Sequence, residues 1–316
     1  MPYSHHSHSG QFCQHASGSL EEVVKAAIEQ GFELYGLTEH VPRYRPEDLY
    51  PEEASTSLDA LVNQFDNFLA EAHRLKAVYA QDITLLVGLE TEHISALDLD
   101  NLTRLLDRHA GKIEYLVGSL HHVNGIPIDF DLESYEKALA SVQSTGDNQE
   151  AQMEAFLCSY FDSQYELLRR FQPEVIGHVD LCRLYKPELP LESYPQAWAK
   201  LERNVQYAVG YGALFELNAA ALRKGWVSAY PGEDVVRLIQ RLDGRFTLSD
   251  DSHGPHAVGL NYARMKEYAM RVEISEIWHL ERSPRVNHAG RLTRPCRVAG
   301  DIWESGFWAK ATNVSK

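Results

Sequence analysis

Near the start of the chain, Ser4-His5-His6-Ser7-His8-Ser9-Gly10 sets two histidines two residues apart. Side chains two apart on an extended strand point to the same side, so His6 and His8 can aim both imidazoles at one point. Imidazole is a good ligand for zinc, iron and related metals. A His-rich end can instead be a disordered tail or a tag, but serines interrupt this run. The same spacing recurs far downstream in Asp251 and His253. Between the two pairs, His40, Glu90, His121 and His178 stand just after apolar runs, and His15 lies in Phe12-Cys13-Gln14-His15. Taken singly, such a histidine is most often a loop residue bonded to backbone, and such a glutamate a solvated charge. Taken together, they describe one metal site assembled from many segments.

The elements that would carry these residues alternate. Residues 2–5 read as extended, and a helix from 20 to about 30 starts with Ser19 as cap and Glu22 three residues later, ending at Gly31. Strands are predicted over 32–38, 83–89, 113–120, 174–177, 214–217 and 245–248, with a last one over 276–279. Helices are predicted over 58–80, 97–109, 150–171, 193–211, 232–242 and 262–270. Residues 123–149 read as an exposed loop or lid, and the tail after Arg282 shows little pattern. Strand–helix alternation without a Pro/Gly/Ser linker predicts a single α/β unit with a parallel sheet, best closed as a barrel. The ends of barrel strands share one rim, where sites are built. The candidate ligands follow nearly every predicted strand, so they would gather there.

Composition narrows the function. The 316 residues suffice for one barrel-sized domain or two smaller ones. The net charge of -15 disfavours a nucleic-acid surface, which needs basic patches. It leaves anionic small substrates open, because bound cations reverse the sign inside a pocket. No apolar run reaches the roughly 18–20 residues that span a bilayer, and no secretory signal opens the chain. Four unpaired cysteines are expected to be reduced, cytosolic thiols. There is no GxGxxG and no Walker loop.

Six stretches together resemble the PHP family, the polymerase and histidinol phosphatase family. They are His6/His8, Thr38-Glu39-His40, Gly88-Leu89-Glu90, Gly118 to His121, Gly177 to Asp180, and Asp251 to His253. Thr38 to Arg43, Gly177 to Leu184, and Glu216-Leu217-Asn218 leading to Leu222-Arg223-Lys224-Gly225 resemble its histidinol-phosphatase branch, the fungal members most closely. The resemblance covers roughly residues 3 to 280. It implies a distorted (β/α)7 barrel over 1–285, interrupted near 123–149, with a tail over 286–316 packing on it. It implies up to three divalent ions, zinc, iron or manganese. His6, His8, Glu90 and Asp251 would hold the first. Glu90 would bridge to a second held by His121 and His178, and His15, His40 and His253 would hold a third. His5, His122, Glu92 and Asp250 compete as neighbours, and His93, His256 and His279 are candidates for supporting roles.

The activity implied is hydrolysis of L-histidinol phosphate to L-histidinol and phosphate, a step of histidine biosynthesis. A metal pair lowers the pKa of bound water to about 7 and can set hydroxide in line with phosphorus. Arg43, Arg183 and Arg223 are the candidate phosphate ligands, since Arg forms bidentate contacts with phosphate. Asn218 would contact substrate, Asp251 or His253 would protonate the leaving alkoxide, and Asp180 or Glu92 would receive the substrate's cationic groups. Other readings are a related phosphoesterase acting on another small ester or nucleotide, an amidohydrolase, or a metal-storing protein. An amidohydrolase usually carries a bridging Lys where this chain has Glu90.

Overall fold

The computed structural model describes residues 2–146, 148–300 and 302–308. Its order is β1 (Tyr3–Ser4), β2 (Ser7–His8), α1 (Leu20–Gln30), β3 (Leu34–Leu37), α2 (Leu58–Val78), β4 (Thr84–Glu90), α3 (Ala96–Arg108) and β5 (Tyr115–Gly118). A hairpin of β6 (His122–Val123) and β7 (Ile126–Pro127) follows, then α4 (Leu132–Ser141), α5 (Gln149–Phe171), β8 (Val175–Ile176) and α6 (Pro195–Tyr211). The chain continues through β9 (Leu214–Asn218), α7 (Ala220–Arg223), α8 (Glu233–Arg241), β10 (Arg245–Ser249), β11 (Ser252–His253) and α9 (Tyr262–Arg271), then β12 (Trp278–Arg282) and β13 (Thr293–Arg297).

Seven parallel strands lie in the order β1-β3-β4-β5-β8-β9-β10. Their continuations close the ring: β11 pairs with β2, setting Ser252 opposite Ser7 and His253 opposite His8. Below that pairing, Ser4 Oγ donates to Asp250 Oδ1 at 2.9 Å. The result is a nearly closed barrel in one α/β unit. The strands are buried on both faces, so they read as apolar runs such as Leu85 to Leu89. Helices pack outside them through stripes such as Leu61, Phe65, Phe68, Leu69, Ala72 and Leu75 of α2. Ser19 and Glu22 form the reciprocal cap of α1, and Gly31 ends it at φ 84°.

Tyr115 crosses the barrel interior and fixes the segment that carries the first histidines. Its hydroxyl donates to the carbonyl of His5 at 2.8 Å. Gly36 makes room for it: a Cβ there would lie 2.0 Å from the Tyr115 hydroxyl oxygen.

Two expectations change. Residues 123–149 are not an exposed loop, since the β6–β7 hairpin and α4 occupy much of the stretch and bury Ile128, Tyr135 and Ala138. The chain after Arg282 is not patternless. β12 and β13 form an antiparallel hairpin at the amino-terminal ends of the barrel strands. There Leu280 N–H donates to His5 Nε2, Thr293 Oγ1 donates to the carbonyl of Glu114, and Arg291 pairs with Glu174. Residues 301 and 309–316 of the expected tail lie outside the described residues. No described helix is long and apolar enough to cross a membrane.

Candidate metal centre and active site

The carboxyl ends of the strands converge on Glu90, the last residue of β4, which is 1% exposed. Its Oε1 lies 3.2 Å from His6 Nε2, 3.2 Å from His121 Nε2 and 3.1 Å from His178 Nε2. Its Oε2 lies 3.4 Å from His8 Nε2 and 2.8 Å from His40 Nδ1. Asp251 Oδ1 faces the same centre, 3.8 Å from His6 Nε2 and 3.7 Å from His8 Nε2. Asp251 sits at φ 48°, a left-handed conformation that aspartate tolerates better than most residues. That turn separates two roles. Asp250 is locked below by Ser4, Tyr35 and the Gly259 N–H, while Asp251 faces the centre.

A second layer of carboxylates orients the imidazoles. Glu216 Oε2 lies 3.2 Å from His6 Nδ1, Glu39 Oε2 3.3 Å from His8 Nδ1, and Glu92 Oε2 2.8 Å from His121 Nδ1. A carboxylate on Nδ1 favours the Nδ1–H tautomer and turns the Nε2 lone pair inward. Nε2 of His121 and of His178 lie 3.3 Å apart, while other nitrogens lack partners. His6 Nε2, His8 Nε2 and His40 Nε2 are buried with no hydrogen-bond partner among the described residues. Each such buried group costs about 1–3 kcal/mol unless something satisfies it. Donor atoms of His6, Glu90 and His178 lie within 4.8 Å of one another, as do those of His6, His8 and Asp251, and those of His8, His40 and His253. A donor set of inward imidazole nitrogens around shared carboxylates fits divalent cations.

The charges are strongly coupled. Burial opposes protonation of His6, but Glu90, Asp251 and Glu216 outweigh it and hold the imidazole well above its ordinary range. Burial likewise opposes protonation of His8, yet Glu39 and Glu90 push it up to about 9. Burial and the neighbouring His8 hold His40 and His253 well below the ordinary value.

His15 stands at the edge, with Nε2 3.2 Å from Cys13 Sγ and Nδ1 3.3 Å from Glu52. Among the competing neighbours, His5 turns into the barrel toward Thr247 and Leu280, and His122 sits beside Glu92. His93 bonds the carbonyl of Ser163, and His279 stacks on Tyr3 away from the rim.

The substrate-facing residues divide. A cavity of about 540 Å³ opens over the centre, lined in part by His40, Glu90, His121, His178, Asp251 and His253. Arg223 and Lys224 also line it, and Arg223 donates to the carbonyl of Asp251 at 3.2 Å. Arg183 does not reach it. All five of its N–H donors are taken, by Asp180, Asp234 and the carbonyl of Leu189. Asn218 lies one layer down, donating to Glu216 Oε1 at 2.7 Å and Asp251 Oδ2 at 3.2 Å. Arg43 is buried beside this cavity, over the Tyr50 ring at 4.7 Å. Asp180 and Glu92 do not line the cavity and so do not meet a cationic substrate group: Asp180 Oδ2 accepts from Arg183 and the Gly232 N–H, and Glu92 faces His121 and His122.

Sequence reasoning missed Glu39 and Glu216 as partners of His8 and His6. The available signal was a charged residue inside the otherwise apolar strand Leu214–Asn218, where burial demands a partner.

Comparison with known proteins follows the same lines. The PHP domain family model matches residues 4–220. A Schizosaccharomyces pombe protein named probable histidinol-phosphatase is 46% identical over 290 residues, covering 91% of this chain and 92% of that protein. The Saccharomyces cerevisiae histidinol-phosphatase is 35% identical, covering 89% and 92% respectively. The fold matches the crystal structure of a Lactococcus lactis histidinol phosphate phosphatase, complexed with zinc, L-histidinol and phosphate. That match has a TM-score of 0.58 at 18% identity and covers 88% of this chain and 95% of the other.

Proposed function

This chain belongs to the PHP domain family, and we propose that it is a metal-dependent phosphatase hydrolysing L-histidinol phosphate to L-histidinol and phosphate. The observation that carries the reading is Glu90 ringed by five imidazoles, with Nε2 of His6, His8 and His40 buried and partnerless, beneath a cavity edged by Arg223. The two fungal relatives named as histidinol-phosphatases support the substrate. His6, His8, Glu90 and Asp251 would hold one divalent ion, Glu90 with His121 and His178 a second, and His15, His40 and His253 a third, as zinc, iron or manganese. Bound there, such ions supply acidified water and positive charge for the phosphate oxygens.

The chain's own residues do the rest. Arg223, with Lys224 beside it, offers N–H donors to phosphate oxygens. Arg43 adds a buried positive charge behind His40, its Nε without a partner. Asn218 sets the Asp251 carboxylate through Oδ2 and leaves Oδ1 facing the centre. Hydrolysis places a water oxygen on phosphorus and breaks the bond to the ester oxygen. The departing alkoxide needs one proton, which the attacking water gives up, and Asp251 or His253, both of which line the cavity, would relay it.

The test is phosphate release by metal-loaded protein from L-histidinol phosphate and from a panel of sugar, nucleotide and simple alkyl phosphates. The expected result is a kcat/KM for L-histidinol phosphate well above every other ester. Equal turnover across the panel would remove the substrate assignment.

A further inference from the structure

We propose that Asp129 selects the substrate, its carboxylate receiving a cationic nitrogen on the organic half of the phosphate ester. The inference rests on the functional reading above and deepens it. The cavity lining divides by origin. The segments after β9 and β10 supply Arg223, Lys224 and His256, while those after β3 and β7 supply Tyr50, Glu52, Asp129 and Phe130. One arc is basic and the other acidic and aromatic. The rings of Tyr50 and Phe130 stack there, with centroids 6.0 Å apart and planes 22° apart.

Asp129 is the acid left free on that arc. Its Oδ1 is buried and has no hydrogen-bond partner among the described residues. Such an oxygen is costly unless a donor meets it. The other acids that line the cavity face imidazoles, Glu90 and Asp251 at the metal centre and Glu52 at its edge, and the acids behind the lining hold partners of their own. Glu92 faces His121 and His122, Glu39 holds His8 and Ser9, and Asp180, which does not line the cavity, holds Arg183 through Oδ2. Backbone geometry fixes where Asp129 stands, because the N–H of the preceding Ile128 donates to the carbonyl of His121 at 2.9 Å. The segment carrying Asp129 is thereby tied to a residue of the metal rim. An anionic phosphate is repelled by Asp129 and drawn to the basic arc, which orients the ester. The class of substrate that satisfies both arcs is a short phosphate monoester bearing a protonated amine or imidazolium. Arg43 already stands over the Tyr50 ring, and the Phe130 ring in the cavity lining offers a face that also attracts a cation; a cavity of this size encloses such a molecule.

The experiment compares kcat/KM for L-histidinol phosphate with that for propyl phosphate, which has no cationic nitrogen, in wild type, Asp129→Asn and Asp129→Glu. Wild type is expected to prefer L-histidinol phosphate. Asp129→Asn should cut that preference by about 10- to 100-fold through KM, the scale of one lost charged hydrogen bond, and Asp129→Glu should recover part of it. Taking the ratio separates a binding effect from a general loss of folded enzyme. A preference retained in Asp129→Asn, or an equal fall with both esters, overturns the role of Asp129 while leaving the phosphatase reading intact. A wild type with no preference overturns the functional reading and this inference with it.

Discussion

Glu216 governs two of the proposed metal ligands at once: its Oε2 lies 3.2 Å from His6 Nδ1, and its Oε1 accepts the backbone N–H of His178 at 2.7 Å. It touches no inward-facing nitrogen, so it acts by positioning. Glu216→Gln is therefore expected to keep the fold and weaken metal binding and activity by about 10- to 100-fold. Metal titration of stripped protein, followed by phosphate release, reads the effect. Affinity equal to wild type would reduce Glu216 to packing.

Arg183 and Arg223 should fail in different ways. Arg183 is 3% exposed and joins Asp180, which is fully buried, to Asp234. Removing it strands a buried carboxylate, and Arg183→Met is expected to cost about 3–5 kcal/mol of stability in urea unfolding. Arg223 borders the cavity, so Arg223→Ala should raise KM with little change in unfolding midpoint. An Arg183→Met protein as stable as wild type but poor in KM would return Arg183 to the phosphate.

Gly36→Ala places a methyl group where the Tyr115 hydroxyl stands, 2.0 Å away. The displaced ring also loses its bond to the His5 carbonyl, one residue before His6. The expected loss is about 1–3 kcal/mol from overpacking, accompanied by lower metal occupancy. Tyr115→Phe should cost less, about 0.5–1.5 kcal/mol. Occupancy unchanged in Gly36→Ala would show that the His5–His8 segment is held by other contacts.

The rim was legible in the sequence because a parallel barrel buries both faces of its strands. Each strand then reads as an apolar run, and the polar residue that follows it stands out, as Glu90 does after Leu85 to Leu89. The carboxylates behind the imidazoles were less legible, since only the ring closure and register show that Glu216 faces His6 across β9. Asp180 and Arg183, three residues apart, carried a local ion-pair signal that the expectation of a phosphate ligand overrode. The β12–β13 hairpin was hidden by Pro295, which usually argues against a strand. It is tolerated there because Pro295 stands opposite Leu280 at a non-hydrogen-bonded position, between ladder bonds such as Ser283 N–H to Leu292 and Val298 N–H to Ile277, so no ladder bond needs its missing N–H.

The most direct measurement is phosphate release from L-histidinol phosphate by wild type and Glu90→Gln, each stripped with a chelator and then given zinc, manganese or ferrous iron, with bound metal counted in parallel. Wild type is expected to lose activity on stripping and regain it with bound metal, while Glu90→Gln, without the carboxylate shared by five imidazoles, stays at least about 100-fold below it. Full activity in metal-free wild type, or Glu90→Gln as active as wild type, would contradict a metal centre built on Glu90.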